Sequence, residues 1–386
     1  MNRGAPSLLT MMAELIALPS ISSVNPDIDQ GNRAVVERLG EWLLDLGFGV
    51  EIIALDGHTN KANLIATLGS GPGGLVLAGH TDTVPFDEGR WNSDPFALKE
   101  ADNRLYGLGT CDMKGFFPLA IEAARGLTAK DLTQPLIILA TADEESSMDG
   151  ARQLVKLGRP KARYAVIGEP TGLRPVHMHK GMYMEVVRVV GQSGHSSDPS
   201  LGNNALEGMH EVLAELLLWR QELQAKHRNE LFSVPVPTLN LGHIHGGDNA
   251  NRICAHCELH FDLRPLPGMA IDALRSQIKQ RLEQRLAGRG LALEIAPLIH
   301  GTPALHTPAS ANLVRVAERL TGHSSEAVAF GTEGPHLTEL GMETIILGPG
   351  DIDQAHQPDE YLALDRIQPS VTLLKGLIKR FSQNGS

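Results

Sequence analysis

The chain has 386 residues, more than one small hydrophobic core can organise, so we expect two domains. Hydrophobic residues make up 42% of the sequence and charged residues 20%, which is typical of a soluble globular protein. The 34 basic and 45 acidic side chains give a formal charge of -11, with no long basic run. This balance argues against nucleic acid or an anionic membrane as a partner.

The first apolar segment, Leu8 to Leu18, is predicted to be an amphipathic helix and not a signal peptide. It carries Glu14, has hydrophobic residues at helical spacing and ends before Pro19. No apolar stretch is long enough to span a bilayer. Three cysteines are too few for a disulfide framework, so we expect a reducing compartment and a cytoplasmic protein.

A second helix is predicted over residues 32–47, and strands and helices then alternate to about residue 178. This order indicates an α/β fold with a mainly parallel sheet flanked by helices. Between residues 180 and 296 the predicted order becomes β-α-β-β-α-β, a ferredoxin-like unit that can fold as an inserted domain. We therefore predict a catalytic domain built from residues 1–179 and 297–386, with the inserted domain over residues 180–296.

Five apolar runs lead into carboxylates or histidines, and this is the main functional signal. Short apolar runs are typical of buried parallel strands, and ligands bind beyond the carboxyl ends of such strands. Anionic and imidazole groups gathered at one edge would repel one another unless cations lay among them, so we expect a metal site. The runs deliver His80 with Asp82, then Asp112, the segment Asp143-Glu144-Glu145, Glu169, and His356.

Cys254, His256, Cys257 and His260 lie close together in sequence and could form a second metal site. Apolar and polar residues alternate strictly through this segment, however, as in a half-buried strand. The alternation places the two cysteines on opposite faces, so a structural role is favoured.

Five motifs, in this order, resemble those of the dinuclear zinc aminoacylase and carboxypeptidase (M20) metallopeptidase family. The resemblance covers nearly the whole chain and implies a zinc-exopeptidase-like catalytic domain with an inserted dimerisation or lid domain. Phe116 departs from the glycine that many members have there, which concerns local packing only. The motifs are Gly79-His80-Thr81-Asp82, Gly109-Thr110-Cys111-Asp112-Met113-Lys114-Gly115, Asp143-Glu144-Glu145, Gly168-Glu169-Pro170-Thr171 and Ala355-His356-Gln357-Pro358.

The resemblance implies two divalent metal ions per subunit. His80 and Glu169 would hold one ion, Glu145 and His356 the other, and Asp112 would bridge them. Nitrogen and oxygen donors without thiolate fit zinc best, with cobalt or manganese as alternatives. The resemblance also implies a cis peptide bond after the bridging aspartate.

Three further residues are implied to serve catalysis. Asp82 would orient the imidazole of His80. Glu144 would be the general base for the bridging water, its alternative being a solvated loop acid. His195 would reach the oxyanion from the partner subunit, which requires a homodimer built through the inserted domain. The alternative for His195 is an ordinary surface residue.

The resemblance also suggests residues that bind the substrate. Arg264 would pair with the substrate α-carboxylate, its alternative being a surface ion pair. Asn251, Gly331 and Thr332 resemble further carboxylate contacts. An acid is needed for the substrate's ammonium group, and the sequence does not choose among Glu333, Asp198 and Asp353.

The implied activity is hydrolysis of the amide of N²-acetyl-L-ornithine to L-ornithine and acetate, a step of arginine biosynthesis. The alternatives within the class are hydrolysis of succinyl-diaminopimelate, of general N-acyl amino acids or of dipeptides. A succinyl tail would need an additional basic residue that the sequence does not reveal. A metal-binding sensor without turnover is the alternative from another class, and the presence of Glu144 argues against it.

Overall fold

The protein is described by a computed structural model over residues 4–383, and its contacts divide it into two units. The first unit contains the chain up to His177, Thr307–Glu326 and the chain from Thr332 onward. The second unit contains Met178–His306 and Ala327–Gly331. No helix within residues 4–383 is both long enough and apolar enough to cross a membrane.

The described residues form nine α-helices. Ser7 caps the first of them by accepting a hydrogen bond from the Thr10 N–H, and the helix buries one apolar face, as predicted. The helices are α1 (Leu8–Ile16), α2 (Arg33–Asp45), α3 (Phe116–Ala124), α4 (Asp149–Leu157), α5 (Ala205–Lys226), α6 (Ile271–Leu286), α7 (Asn312–Thr321), α8 (Gly334–Glu339) and α9 (Ile367–Ile378).

The same residues contain sixteen β-strands. They are β1 (Gly49–Ala54), β2 (Ala62–Leu68), β3 (Leu75–His80), β4 (Lys99–Ala101), β5 (Arg104–Tyr106), β6 (Leu136–Thr141), β7 (Tyr164–Pro170), β8 (Val176–His179), β9 (Tyr183–Val190), β10 (Thr238–Gly246), β11 (His256–Arg264), β12 (Ala292–Pro297), β13 (Leu305–His306), β14 (Glu326–Val328), β15 (Glu343–Gly348) and β16 (Tyr361–Ala363).

The largest sheet has the order β1-β2-β6-β3-β7-β15-β8-β13, with β14 beside β8. Its centre, β6-β3-β7-β15, is parallel, whereas β1 and β2 are antiparallel to their neighbours. Every residue of β3, β6 and β7 is buried, because apolar side chains cover both faces. The predicted α/β class with a mainly parallel sheet is confirmed.

One predicted strand of this sheet was wrong. The apolar run that leads into Asp112 extends from Leu105 to Gly109, and only its start is a strand. This strand, β5, pairs with β4 and β16 in a separate three-stranded sheet. Gly109 then turns the chain with φ +87°, a conformation that favours glycine. Asp112 therefore lies in the loop before α3 and not at the end of a central strand.

The second unit contains a four-stranded antiparallel sheet of order β10-β11-β9-β12. Its chain order, β9-α5-β10-β11-α6-β12, is the predicted ferredoxin-like order. Buried and partly exposed residues alternate along β11, as the sequence indicates. Cys254 was expected on the exposed face but is buried, because the strand begins only at His256.

Candidate metal centre

The candidate site lies in the first unit, where the central strands end. His80 is the last residue of β3, and Glu169 is the last residue but one of β7. The loop before α3 and the start of this helix pack directly against both strands. The residues that precede His80 and Glu169 are therefore glycines. A Cβ on Gly79 would meet Met113 Cε at 2.3 Å, and one on Gly168 would meet the Phe116 ring at 2.2 Å. Phe116 thus fills the space that Gly168 leaves.

Asp112 lies between two histidines. Its Oδ1 is 3.1 Å from His80 Nε2, and its Oδ2 is 3.4 Å from His356 Nε2. Each oxygen of one carboxylate therefore faces a different imidazole, the arrangement that a bridging ligand requires. The peptide bond between Asp112 and Met113 is cis.

The tautomer of His80 follows from its neighbours. Its Nδ1 lies 3.0 Å from the backbone carbonyl oxygen of Asp82, which can only accept a hydrogen bond. Nδ1 must therefore carry a proton, so Nε2 is the ring nitrogen that could bind a metal ion, and it faces Asp112 and Glu169 Oε1, the latter at 3.5 Å. The backbone carbonyl of Asp82 is thus the group that orients this ring. The Asp82 carboxylate is farther away, with its Oδ1 3.7 Å from Nδ1.

The Asp82 carboxylate contacts a second part of the site. Its Oδ2 accepts a hydrogen bond of 3.0 Å from the backbone N–H of Glu145. The Oε1 of Glu145 in turn lies 3.2 Å from His356 Nε2. His356 has φ +60° and a side chain that is 54% exposed, so its loop presents the imidazole at the surface of the site.

The donor atoms are close enough together to hold metal ions. Ligand atoms of His80, Glu144 and Glu169 lie within 4.8 Å of one another, and so do those of His80, Asp112 and Glu145. Glu144 is partly buried beside these ligands, where a general base would stand. Imidazole and carboxylate donors without thiolate suit zinc, cobalt or manganese.

The electrostatics of the site fit bound cations. Burial and then the Asp112 carboxylate hold the pKa of Glu169 well above its ordinary value. Burial also raises the pKa of Glu144, and the Glu145, Asp82 and Glu333 carboxylates add to the rise while His80 opposes it. Burial would raise the pKa of Asp112, but hydrogen bonds from His356 and His80 lower it. So many carboxylates can all be ionised only with positive charge among them.

Two carboxylates behind the ligands carry the same signal. Burial raises the pKa of Asp82 to about 6 and that of Glu333 to about 7. Asp82 Oδ1 and Glu333 Oε1 are buried and have no hydrogen-bond partner within residues 4–383. The other oxygen of Glu333 accepts a hydrogen bond of 2.7 Å from Thr141 Oγ1. The donor set and its uncompensated charge therefore fit a pair of divalent ions.

The remaining predicted residues are divided between the two units. His195, Asn251, Arg264 and Gly331 belong to the second unit, whereas Thr332 is buried in the first. His195 is exposed, and its Nδ1 accepts a hydrogen bond from the backbone N–H of Ser197. The backbone carbonyl of Asn251 accepts one from the N–H of Ser196, so His195 and Asn251 lie on adjoining segments. Arg264 Nε lies 2.9 Å from Asp262 Oδ2, with its side chain 27% exposed.

The sequence did not point to two buried charged residues beside the site. The ammonium of Lys61, 5% exposed, donates to Asp143 Oδ1 at 2.8 Å. Glu360, 1% exposed, accepts hydrogen bonds from the loop that carries Asp112. Glu360 lies two residues after the motif around His356, but its burial depends on contacts with distant residues. No local pattern signals either residue.

Comparison with curated proteins gives relatives that span the whole chain. The acetylornithine deacetylase of Edwardsiella ictaluri is 51% identical over 383 residues, which covers 99% of this chain and all of that protein. That of Pasteurella multocida is 49% identical over 376 residues and covers 97% and 98% of the two chains.

Solved structures share the fold. An M20 family metallo-carboxypeptidase from Sulfolobus solfataricus has a TM-score of 0.76 at 18% identity, covering 97% of this chain and 99% of the other. A dinuclear metal-binding peptidase of the M20 family from Bacillus subtilis has a TM-score of 0.65 at 16% identity, covering 97% and 98%. The model of peptidase family M20/M25/M40 matches residues 76–380. The chain belongs to peptidase family M20/M25/M40.

Proposed function

We propose that this protein is a two-metal amidohydrolase that converts N²-acetyl-L-ornithine to L-ornithine and acetate. The observation that carries the reaction class is the Asp112 carboxylate, whose two oxygens face the Nε2 atoms of two histidines. The proposed substrate is taken from relatives that are named acetylornithine deacetylase. They match this chain over almost its full length at 51% and 49% identity. This activity places the protein in arginine biosynthesis, and we expect it in the cytoplasm.

The proposed ligands form two sets that share one carboxylate. His80 and Glu169 belong to the first ion, Glu145 and His356 to the second, and Asp112 to both. Zinc is the expected metal, with cobalt or manganese able to replace it. When bound, the two ions lower the pKa of a water molecule and polarise the acyl carbonyl.

Glu144 moves the proton in this proposal. It accepts a proton from the attacking water as the water oxygen bonds to the acyl carbon. It then delivers that proton to the amide nitrogen as the carbon–nitrogen bond breaks, so acetate and the free amine leave. Burial raises its pKa, which supports this role, because a carboxylate of raised pKa is a stronger base that can accept a proton and then return it.

Residues of the second unit complete the proposal through the resemblance of their motifs. His195, supplied by the partner subunit, stabilises the oxyanion, and Arg264 binds the substrate α-carboxylate. Asn251, Gly331 and Thr332 are proposed as further carboxylate contacts. These roles require a homodimer formed through the inserted domain, which is proposed to span residues 180–296.

The test compares kcat/KM for N²-acetyl-L-ornithine and succinyl-diaminopimelate on one preparation with its metal content measured. We expect a clear preference for acetylornithine, because a succinyl carboxylate would need an additional basic residue that the sequence does not reveal. The Glu144→Gln variant is the matched control. It should keep its metal ions while turnover falls about 10²–10⁴-fold, the usual contribution of a general base. A preference for the succinyl substrate would contradict the proposed substrate, and a metal-loaded wild type without turnover would favour a sensor.

A further inference from the structure

Glu360 is a fully buried carboxylate bound to the loop that carries Asp112. Its Oε1 accepts hydrogen bonds from three backbone N–H groups, those of Gly109 at 3.0 Å, Cys111 at 2.8 Å and Asp112 at 3.0 Å. Its backbone carbonyl accepts a fourth from the N–H of Gly107. Successive N–H groups that converge on one oxygen form an anion-binding concavity, so the loop is shaped around this carboxylate.

Glu360 also lies four residues after His356, in the segment that presents this histidine. The imidazole itself is poorly held, because its side chain is 54% exposed and, within residues 4–383, its Nε2 pairs with Glu145 and Asp112 of the candidate centre alone. The end of the segment is held well. Asp359 accepts a hydrogen bond of 2.8 Å from the Asn92 N–H, and β16 then pairs with β5.

Glu360 holds both Asp112 and His356, which would bind the second ion of the proposed pair, whereas the first ion would share only Asp112 with it. Asp112 and His356 come from parts of the chain more than 240 residues apart, and Glu360 is covalently part of one and hydrogen-bonded to the other. The ligands His80 and Glu169 lie instead on β3 and β7, which hydrogen bonds of the central sheet hold in place. The second set of ligands therefore depends on Glu360 through two members, Asp112 and His356, and the first set through Asp112 alone.

Burial, and after it the Asp112 carboxylate, raises the pKa of Glu360 to about 8, while its three backbone hydrogen bonds lower it. Lys114, which is fully buried and donates to the Leu18 carbonyl at 3.0 Å, interacts electrostatically with Glu360 and Asp82. Hydrogen bonds to an ionised acceptor are about twice as strong as those between neutral groups. When it is ionised, a carboxylate at this position therefore holds three N–H groups more firmly than an amide could.

We infer that Glu360 is a positioning residue that sets His356 against Asp112 and so determines the affinity of the ion they share. The inference rests on the proposed function, because it concerns one of the two proposed ions. Glu360 touches neither substrate nor metal in this account. It acts through the two segments that it joins.

The test is a metal titration of the full-length protein. Metal-free wild type and Glu360→Gln are titrated with Co²⁺ against a chelator, and binding is followed by visible absorption and by metal analysis. We expect the variant to bind one ion about 10–100-fold more weakly, the usual effect of removing such a supporting contact, and to lose clearly less affinity for the other ion, which shares only Asp112 with the anchor. Glu360→Ala should show a larger loss of affinity at the same site. If Glu360→Ala fails to fold, the titration of Glu360→Gln still decides the test.

The matched control is Glu185→Gln in the second unit. Glu185 is also a buried carboxylate, paired with Arg275 Nε at 2.6 Å, and its loss should leave both affinities unchanged. Unchanged affinities in Glu360→Gln, or an equal loss at both sites, would overturn the role of Glu360 while leaving the proposed function intact. Fewer than two ions bound by the wild type would overturn the proposed function itself.

Discussion

Histidines in this protein show how their surroundings decide the charge of one residue type. At the candidate centre, hydrogen bonds to Asp112 and Glu145 raise the pKa of His356 to about 10. Elsewhere, burial lowers the pKa of both His179 and His336 to about 4. The first environment holds a proton where a metal ion would sit, and the second keeps a neutral ring inside the protein.

His336 allows a test of this contrast away from the metal ligands. It is 7% exposed, its Nε2 has no hydrogen-bond partner within residues 4–383, and the Arg152 charge adds to the effect of burial. Because its folded pKa is about 4 and its ordinary value is 6.5, the folded state binds fewer protons than the unfolded state between these values. The contribution of neutral His336 to the free energy of unfolding is therefore fully present above about pH 6.5 and is lost as the pH falls towards about 4.

The measurement compares urea unfolding of wild type and His336→Gln between about pH 7.5 and pH 4.5. Below about pH 6.5, the wild type should lose up to about 1.4 kcal/mol per pH unit more than the variant, since only the wild type has this proton to take up. Other titrating groups are common to both proteins and cancel in the difference. Parallel profiles over the whole range would show that His336 titrates normally.

At the scale of elements, the segment after β6 depends on a buried ion pair. Asp143 has φ +58°, a left-handed conformation that aspartate tolerates better than most residues. Its Oδ1 accepts hydrogen bonds from Lys61 Nζ at 2.8 Å and from Ser22 Oγ at 2.9 Å. Lys61 also contacts Asp29 at 2.8 Å. These contacts hold the turn that carries the proposed base and ligand, Glu144 and Glu145.

Removing the buried ammonium should destabilise this segment. In Lys61→Met the Asp143 carboxylate stays buried without its cation, which costs about 3–5 kcal/mol in comparable pairs. The exposed pair of Lys156 with Asp56, at 3.5 Å with both side chains 77% exposed, provides the control. Lys156→Met should change the unfolding free energy by no more than about 1 kcal/mol. Equal effects of the two variants on urea unfolding would contradict the account.

Elements with a strong local pattern could be predicted from the sequence. The first helix expected in the inserted domain is α5, Ala205–Lys226, and buried and partly exposed residues alternate along β11 as expected. The run from Leu105 to Gly109 failed because its apolar letters do not show the turn at Gly109 or the pairing of β5 with β16, more than 250 residues away. Long-range partners of this kind override a local pattern.

The site shows the same division. His80 and Glu169 could be placed from sequence because strand ends of a parallel sheet meet at one edge. Lys61 and Glu360 could not, since their burial and partners depend on segments that only the folded chain brings together. Charged residues are usually exposed, so a sequence gives no reason to expect either one inside.

On the scale of the whole molecule, the fold persists although most residues differ. The Sulfolobus solfataricus structure matches 97% of this chain at only 18% identity. The architecture therefore depends on the pattern of apolar segments and turns more than on particular core side chains. The proposed chemistry would depend on a few side chains that this architecture gathers, above all the Asp112 carboxylate between two imidazoles.

The most direct test of the central claim is an anomalous-scattering map at the zinc edge, from crystals of the full-length protein grown with Zn²⁺. The two-metal assignment requires two peaks per chain, about 3.5–4 Å apart, one beside His80 and Glu169 and one beside Glu145 and His356, with Asp112 between them. A single peak, no peak, or peaks away from Asp112 would contradict it.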